Sequence, residues 1–456
     1  MIRTVRSLPA RTSDGAGPEA RGFTAPDPSG RISALICEVK RMWSFTRRGR
    51  RDCRPAGPNA VVFLWTEPAW SLAMAWQASY LTVYLVAQGL SPAGVGAAVG
   101  AAALVQVAGL LASGWMADHL GRKTVIMAGD FVAWVLALGL WVLDPRPLVL
   151  ALGVVLLNGF AFVAPAWNSL FSEDVEPRRV SFYYLMLQQL TLFGGLAIPL
   201  MAPLVHRWGV RVSGHWALAI AWPLVTVAWV LRLLWLKEST VGHALRVARR
   251  SGRHGSLRDR LVSGLAGANR LLAVLRILLT VAITLWATFA PLVLVARRAE
   301  ALSPALLAFL PLGSTVAGIS VLLLERRWRT APPGVAMSVA LALMALGMGG
   351  VSLAPAHAFV PVLTAWTLVA AGQAMFWTVH TTLWMAFLPD RSRVEVQGWV
   401  GASSAVLVAV LAPLLARWLP RLPRMVNAIW ALMVVVALLM VLGWGRHLLP
   451  GRRRTV

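Results

Sequence analysis

Residues 114–123 read GWMADHLGRK, that is Gly114 to Lys123. Four ionisable side chains, Asp118, His119, Arg122 and Lys123, sit here between long runs of Ala, Val and Leu, on a turn bounded by Gly114 and Gly121. The rest of the chain spends charge sparingly: 58% of its 456 residues are apolar, 13% are charged, and the mean hydropathy is +0.68. Soluble domains carry about 45–50% apolar and about 25% charged residues, so this composition implies a bilayer as solvent. The formal charge of +25 would point to nucleic acid in a soluble chain. Here the basic residues lie in short blocks between apolar runs, the pattern that sets membrane orientation, and no nucleic-acid partner is expected. Cys37 and Cys53, the two cysteines, are too few for a disulfide scaffold and lack metal-site spacing. No metal and no cofactor are expected.

A helix crossing ~30 Å of hydrocarbon needs roughly 20 apolar residues. Twelve runs qualify: 61–88, 93–116, 124–143, 147–170, 181–204, 214–236, 270–296, 302–324, 332–352, 358–386, 397–418 and 425–447. The expected fold class is therefore an all-α integral membrane protein. Residues 1–58 contain no spanning run and read as a disordered basic extension, whose place in the native protein the sequence leaves open. A basic linker, 237–269, divides the runs into six at 59–236 and six at 270–448, and 449–456 form a basic tail.

Of the 43 Lys and Arg, 33 fall on the side that holds both ends of the chain, the linker and 122–123. Eight fall on the other side, and Arg232 and Arg276 lie within runs. Positive residues collect in the cytoplasm, so both termini are expected there. The halves also echo each other. Leu90-Ser91-Pro92-Ala93 matches Leu302-Ser303-Pro304-Ala305, and Phe171-Ser172-Glu173-Asp174 corresponds to Phe387-Leu388-Pro389-Asp390 at nearly the same offset. Repeated halves meeting at a midplane site are the usual plan of secondary transporters.

Gly114-x-x-x-Asp118-x-x-Gly121-Arg122-Lys123, between the second and third runs, resembles the signature loop of the major facilitator superfamily. Two six-helix halves, a basic middle linker and cytoplasmic termini resemble that family over residues 59–448. In it, the loop is a conformational latch: the Asp bridges to the start of span 11, here the backbone near Val396, Gln397 and Gly398, and steadies the outward-facing state. The residue types fit that role. Gly114 permits close backbone approach, Gly121 a tight reversal, and Asp118 favours a helix N-terminus. Arg122 and Lys123 have the charge to pair with it. The second-half counterpart, 325–329, lacks the glycine spacing.

Ionisable residues within spans are costly and mark function by default. Glu67 lies six residues into its run, ~10 Å deep at 1.5 Å per residue, and shares a helical face with Trp70, Met74, Gln77 and Tyr84. Gln373, Phe376, Trp377, His380 and Trp384 share a face on the tenth run. The resemblance implies that spans 1, 4, 7 and 10 line the central cavity, so these faces are expected to confront each other. Arg276 lies at a similar depth on the seventh run. Glu67 is expected to pair with Arg276 or His380, either carrying a coupled proton or holding spans 1 and 7 together. Asp130 reads as a support for the latch, with proton carriage as its other role. Arg232, five residues before Lys237, reads as an anchor snorkelling to the interface. Asn158, Gln188 and Gln189 are weaker substrate contacts, since buried amides serve equally as packing glue.

Proton-linked drug antiporters of the family carry an Arg in span 4 that is missing from Leu152–Gly159. No nucleotide-binding loop or catalytic constellation stands out, so neither ATP-driven pumping nor enzymatic chemistry is expected. Aromatic and thioether walls suit amphipathic molecules better than sugars. The expected function is a monomeric secondary transporter in the bacterial inner membrane. It moves a small hydrophobic or amphipathic organic molecule by alternating access, with efflux favoured. Import of a small organic solute, and a non-transporting sensor or scaffold on the same fold, stand as alternatives.

Overall fold

In the computed structural model, residues 57–175, 180–239, 243, 265, 268–296, 302–324, 327, 331–355, 357–388, 393–419 and 423–444 are described. They are helical almost throughout, with no strand among them, and belong to one compact unit, 56–456. The helices are α1 (Pro58–Ala87), α2 (Pro92–Leu120), α3 (Arg122–Asp130), α4 (Ala137–Leu143), α5 (Pro147–Leu157), α6 (Phe160–Glu173), α7 (Val180–Phe193), α8 (Met201–Trp235), α9 (Ala268–Ala296), α10 (Leu310–Leu323), α11 (Pro333–Leu353), α12 (Phe359–Phe387), α13 (Arg393–Trp418) and α14 (Pro423–Trp444). Proline opens α1, α2 and α5, where its missing N–H costs nothing. Ser91 Oγ caps α2 by accepting from Gly94 N at 3.0 Å.

Nine described helical stretches are long and apolar enough to cross a membrane. One of them, Gly194–Trp235, is 42 residues long and breaks at Gly209, whose φ of 72° lies in the left-handed region that glycine tolerates. A loop was expected over 205–213; the structure needs only this one non-helical residue. The apolar windows are just 28% to 61% buried, and large side chains such as Leu148, Leu353 and Leu104 are open at the surface. Water would penalise so much exposed hydrocarbon; lipid does not. The basic linker falls almost entirely outside the described residues, as do residues 1–56, most of 325–330 and the basic tail.

α2 lies along α13 in the most extensive helix contact of the molecule. A β-carbon on Gly96 would fall 2.4 Å from Ala416 Cβ, and one on Gly398 would fall 2.5 Å from Leu110 O. Small residues at both ends of this seam thus let the two backbones touch. At the Pro304 end, opposite Gly121, Tyr80 Oη donates to Pro304 O at 3.1 Å, and the short helical turn Pro304–Phe309 packs on α8. Residues before and after the linker therefore meet along this seam, at the Pro304 turn, and again where a β-carbon on Gly195 would fall 2.7 Å from Pro311 O of α10.

Candidate functional site

Arg232, buried at 2% exposure, is the hub of an ionic cluster on α1, α3 and α8. Its Nη2 donates to Glu67 Oε2 at 3.0 Å, its Nη1 to Asp130 Oδ2 at 3.1 Å and its Nε to Thr66 Oγ1 at 2.8 Å. The guanidinium lies 3.8 Å from the ring centroid of Trp70 and 5.1 Å from that of Phe63. The fork of Arg suits such divergent partners, and a charge this deep needs pairing. The anchor expected at Arg232 is therefore corrected: the side chain turns inward, because two carboxylates offer more than the interface does. Glu67 takes Arg232 as its ion-pair partner in place of the expected Arg276 or His380. Asp130, fully buried, joins the same cluster, and its Oδ1 has no hydrogen-bond partner.

The wall behind Asp130 is unusual. A π-helical turn, Phe131–Leu136, follows it directly, and such turns free backbone carbonyls and gather at functional sites. α8 grips this segment with two indoles: Trp229 Nε1 donates to Met127 O and Trp222 Nε1 to Val135 O, each at 2.9 Å.

The remaining α1 face divides. Trp70 and Tyr84 are buried, the latter edge-on to Trp76 at 5.4 Å, so neither lines open space as expected. Met74 and Gln77 are partly exposed. Asn158 Nδ2 is spent on Val154 O of its own helix. The side chain of Gln188 lies outside the described residues, and Gln189 is partly exposed with both amide atoms buried and unpartnered.

α12 divides in the same way. His380 is fully buried, stacked 5.2 Å from Phe376 and 5.6 Å from Trp384, and all three belong to a packed aromatic column rather than to a cavity wall. His380 Nε2 lies 2.9 Å from Leu272 O; a carbonyl accepts, so Nε2 carries the proton. Gln373 and Trp377 remain partly exposed. Arg276, also partly exposed, sits with its guanidinium 5.3 Å from the Trp377 ring centroid.

The Gly121 loop bears out its expected turn: Gly121 has φ 97° and joins α2 to α3. Arg122 pairs with Glu173 at the end of α6. Glu238, just beyond α8, accepts from the N–H groups of Arg122 and Lys123 at 3.2 Å each, a carboxylate on the positive end of α3. Asp174 does the same for α1, accepting from Asn59 N at 2.6 Å and Ala60 N at 3.2 Å. Asn59 Oδ1 in turn accepts from Lys237 N at 2.8 Å. Arg122 and Lys123 thus tie α3 to the ends of α6 and α8, while Asp174 and Asn59 bring in α1. Gly114 is buried, the Asp118 side chain lies outside the described residues, and Gly398 sits against α2 at Leu110.

Sequence reasoning missed Glu173, Asp174 and Glu238 as partners, and Arg232 as a hub. Their only advance signal was position: acids directly after helices α6 and α8, facing a basic turn.

The family model of the Major Facilitator Superfamily matches residues 69–356, more than half of the chain. This chain belongs to the major facilitator superfamily. Solved structures of superfamily transporters share its fold. The xylose transporter XylE from E. coli, partially occluded and inward open, superposes with a TM-score of 0.62 at 14% identity, over 84% of this chain and 97% of that one. The POT family transporter PepTSo gives 0.64 at 14% identity over 86% and 99%, and the nucleoside transporter NupG gives 0.58 at 12% over 85% and 98%. No curated relative matches the sequence. At these identities the superfamily likeness establishes the fold, and the chain's own residues must supply the chemistry.

Proposed function

We propose that the protein is a secondary transporter that carries a small amphipathic organic molecule across the membrane by alternating access, with efflux the favoured direction. It would span the membrane twelve times in two six-helix halves, with both termini cytoplasmic, in a bacterial inner membrane. The observation that carries the reading is the seam of α2 on α13, closed over by Tyr80 on Pro304 at one end. Two halves that meet through small residues along a line can rock about it, as transporter halves do. Met74 and Gln77 of α1 and Gln373 and Trp377 of α12 are partly exposed, a set poor in the convergent polar groups that a sugar requires.

The Glu67–Arg232–Asp130 cluster supports a proton-coupled mechanism. Two carboxylates share one guanidinium, so the fully ionised cluster keeps a net negative charge in a medium of low dielectric. One proton, on Asp130 or Glu67, neutralises it. The fixed-strut alternative holds α1, α3 and α8 together without titrating. Import of a small solute is the second reading, favoured by neighbours named for xylose and nucleoside transport.

The test is flux into proteoliposomes. Ethidium and the carboxylate pairs described below would be followed under an imposed pH gradient of either sign. Gradient-driven accumulation that reverses with the gradient supports the reading, and its loss in Asp130→Asn with counterflow retained assigns the proton to the cluster. Absence of both accumulation and counterflow, in protein that binds ligand, refutes transport.

A further inference from the structure

α9 and α12 run antiparallel in one register. Asn269 Nδ2 donates to Phe387 O at 3.3 Å, His380 Nε2 to Leu272 O at 2.9 Å, Arg276 sits over Trp377, and Trp286 packs 4.1 Å from Trp366. These pairs seat Arg276 one turn beyond the His380 bond, well inside the span Asn269–Val295. That window is 61% buried, the highest of the nine, because α9 is packed by α1, α12, α13 and α14. A helix enclosed by four neighbours has little lipid face. On this helix Arg276, Thr280 and Thr284 are partly exposed, as are Gln373 and Trp377 on α12.

Arg276 differs from Arg232 in one respect. Arg232 is paired with two carboxylates and a hydroxyl. Among the described residues, Arg276 has no carboxylate and no hydrogen-bond acceptor; its contact is the Trp377 indole. A guanidinium held without an acceptor at such depth is costly. The ring shields one face of the fork and leaves its N–H edge free. That edge matches a carboxylate, which takes two parallel bonds. His380 adds no competing charge, since its Nε2–H is committed to Leu272 O and its Nδ1 has no partner.

We propose that Arg276, seated on Trp377, is the binding site for the carboxylate of an amphipathic organic monoanion, whose apolar body lies along the aromatic wall of α12. A single cation is matched to a single negative charge; a phosphate dianion would leave one charge uncompensated. The proposal rests on the transporter reading for its setting and adds the substrate class.

The experiment measures binding and flux separately. Purified protein in nanodiscs is melted with 1-naphthoate, indole-3-acetate and 4-phenylbutyrate, each beside its neutral amide, and with 1-naphthyl phosphate. At least one carboxylate is expected to raise the melting temperature where its amide does not, since a ligand of the folded state stabilises by mass action. Arg276→Gln is expected to bind that carboxylate roughly 10- to 100-fold more weakly, the loss of one charge-assisted pair. Without ligand it should melt no lower than wild type, because an unpaired cation has been removed. Arg276→Lys, which keeps the charge and loses the fork, should fall between them. The proposal is overturned if no carboxylate binds, if acid and amide bind alike, if Arg276→Gln keeps the preference, or if the phosphate binds more tightly. Counterflow of a neutral amide, equal in wild type and Arg276→Gln, would preserve transport and refute the site. Carboxylate binding without flux would preserve the site and refute transport.

Discussion

Replacing Arg232 by Met keeps most of the side chain's length and removes its charge, which isolates the ionic cluster. Asp130 then loses its guanidinium, and Glu67 loses the ion pair at Oε2. Asp130 is fully buried and the Glu67 side chain is 12% exposed, so neither can recover its hydration. Breaking a buried pair by removing one partner costs about 3–5 kcal/mol. Loss of the guanidinium from the Trp70 face adds up to ~2 kcal/mol, offset in part by Met packing on the same ring. At roughly 2.1 cal/mol/K of unfolding entropy per residue, a unit as large as 56–456 shifts by about 1 °C per kcal/mol, so the melting temperature should fall by about 4–8 °C. The assay is loss of the monodisperse peak on heating in detergent. Arg232→Met/Asp130→Asn/Glu67→Gln removes the stranded charges and should recover most of the loss, to within ~2 kcal/mol of wild type. An interfacial anchor would lose about 0–1 kcal/mol, with no rescue by the acid-to-amide changes. A single variant that melts within 2 °C of wild type, or a triple variant no better than the single, would refute the argument.

Gly398→Val places a β-carbon against Leu110 O, a backbone atom unable to rotate away; forced overpacking costs about 1–3 kcal/mol, and both stability and flux should drop, whereas unchanged flux would show that the seam can open without penalty. Asp174→Ala uncaps α1 and should cost about 0.5–2 kcal/mol, with Asp174→Asn costing less because its amide oxygen still accepts; equal melting of the two variants would contradict capping. Outside the spans, the hydrogen bond from Arg146 holds the Asp144 carboxyl below its ordinary value. A depressed folded-state value gives stability that is present above the unfolded value, near pH 3.8, and lost as pH falls through the lower one. Asp144→Asn should accordingly leave the pH 5–8 stability profile unchanged, and a pH-dependent difference in that window would overturn this assignment.

The apolar helices, nine of which are long enough to span among the described residues, and the Gly121 reversal were legible because each depends on local composition. A run of roughly 20 apolar residues must become helix in lipid, where no water satisfies the backbone, and glycine alone takes φ near 97° without strain. Ion-pair choice was not. Arg232 and Glu67 lie 165 residues apart, and Asp130 lies 102 residues from Arg232. Which of these side chains meet depends on how α1, α3 and α8 are rotated and shifted against one another. In a span such as α2 the apolar residues surround the whole helix, so no polar stripe marks the inner face. The α12 aromatics show the limit from the other side: Phe376, Trp377, His380 and Trp384 share a helical face by spacing, yet tertiary packing buried all but Trp377. Sequence determined that the chain is a membrane bundle with charge at chosen depths. Tertiary structure decided that Arg232 pairs with Glu67 and Asp130 and that Arg276 meets no carboxylate among the described residues, because pairing is settled between helices and not along one.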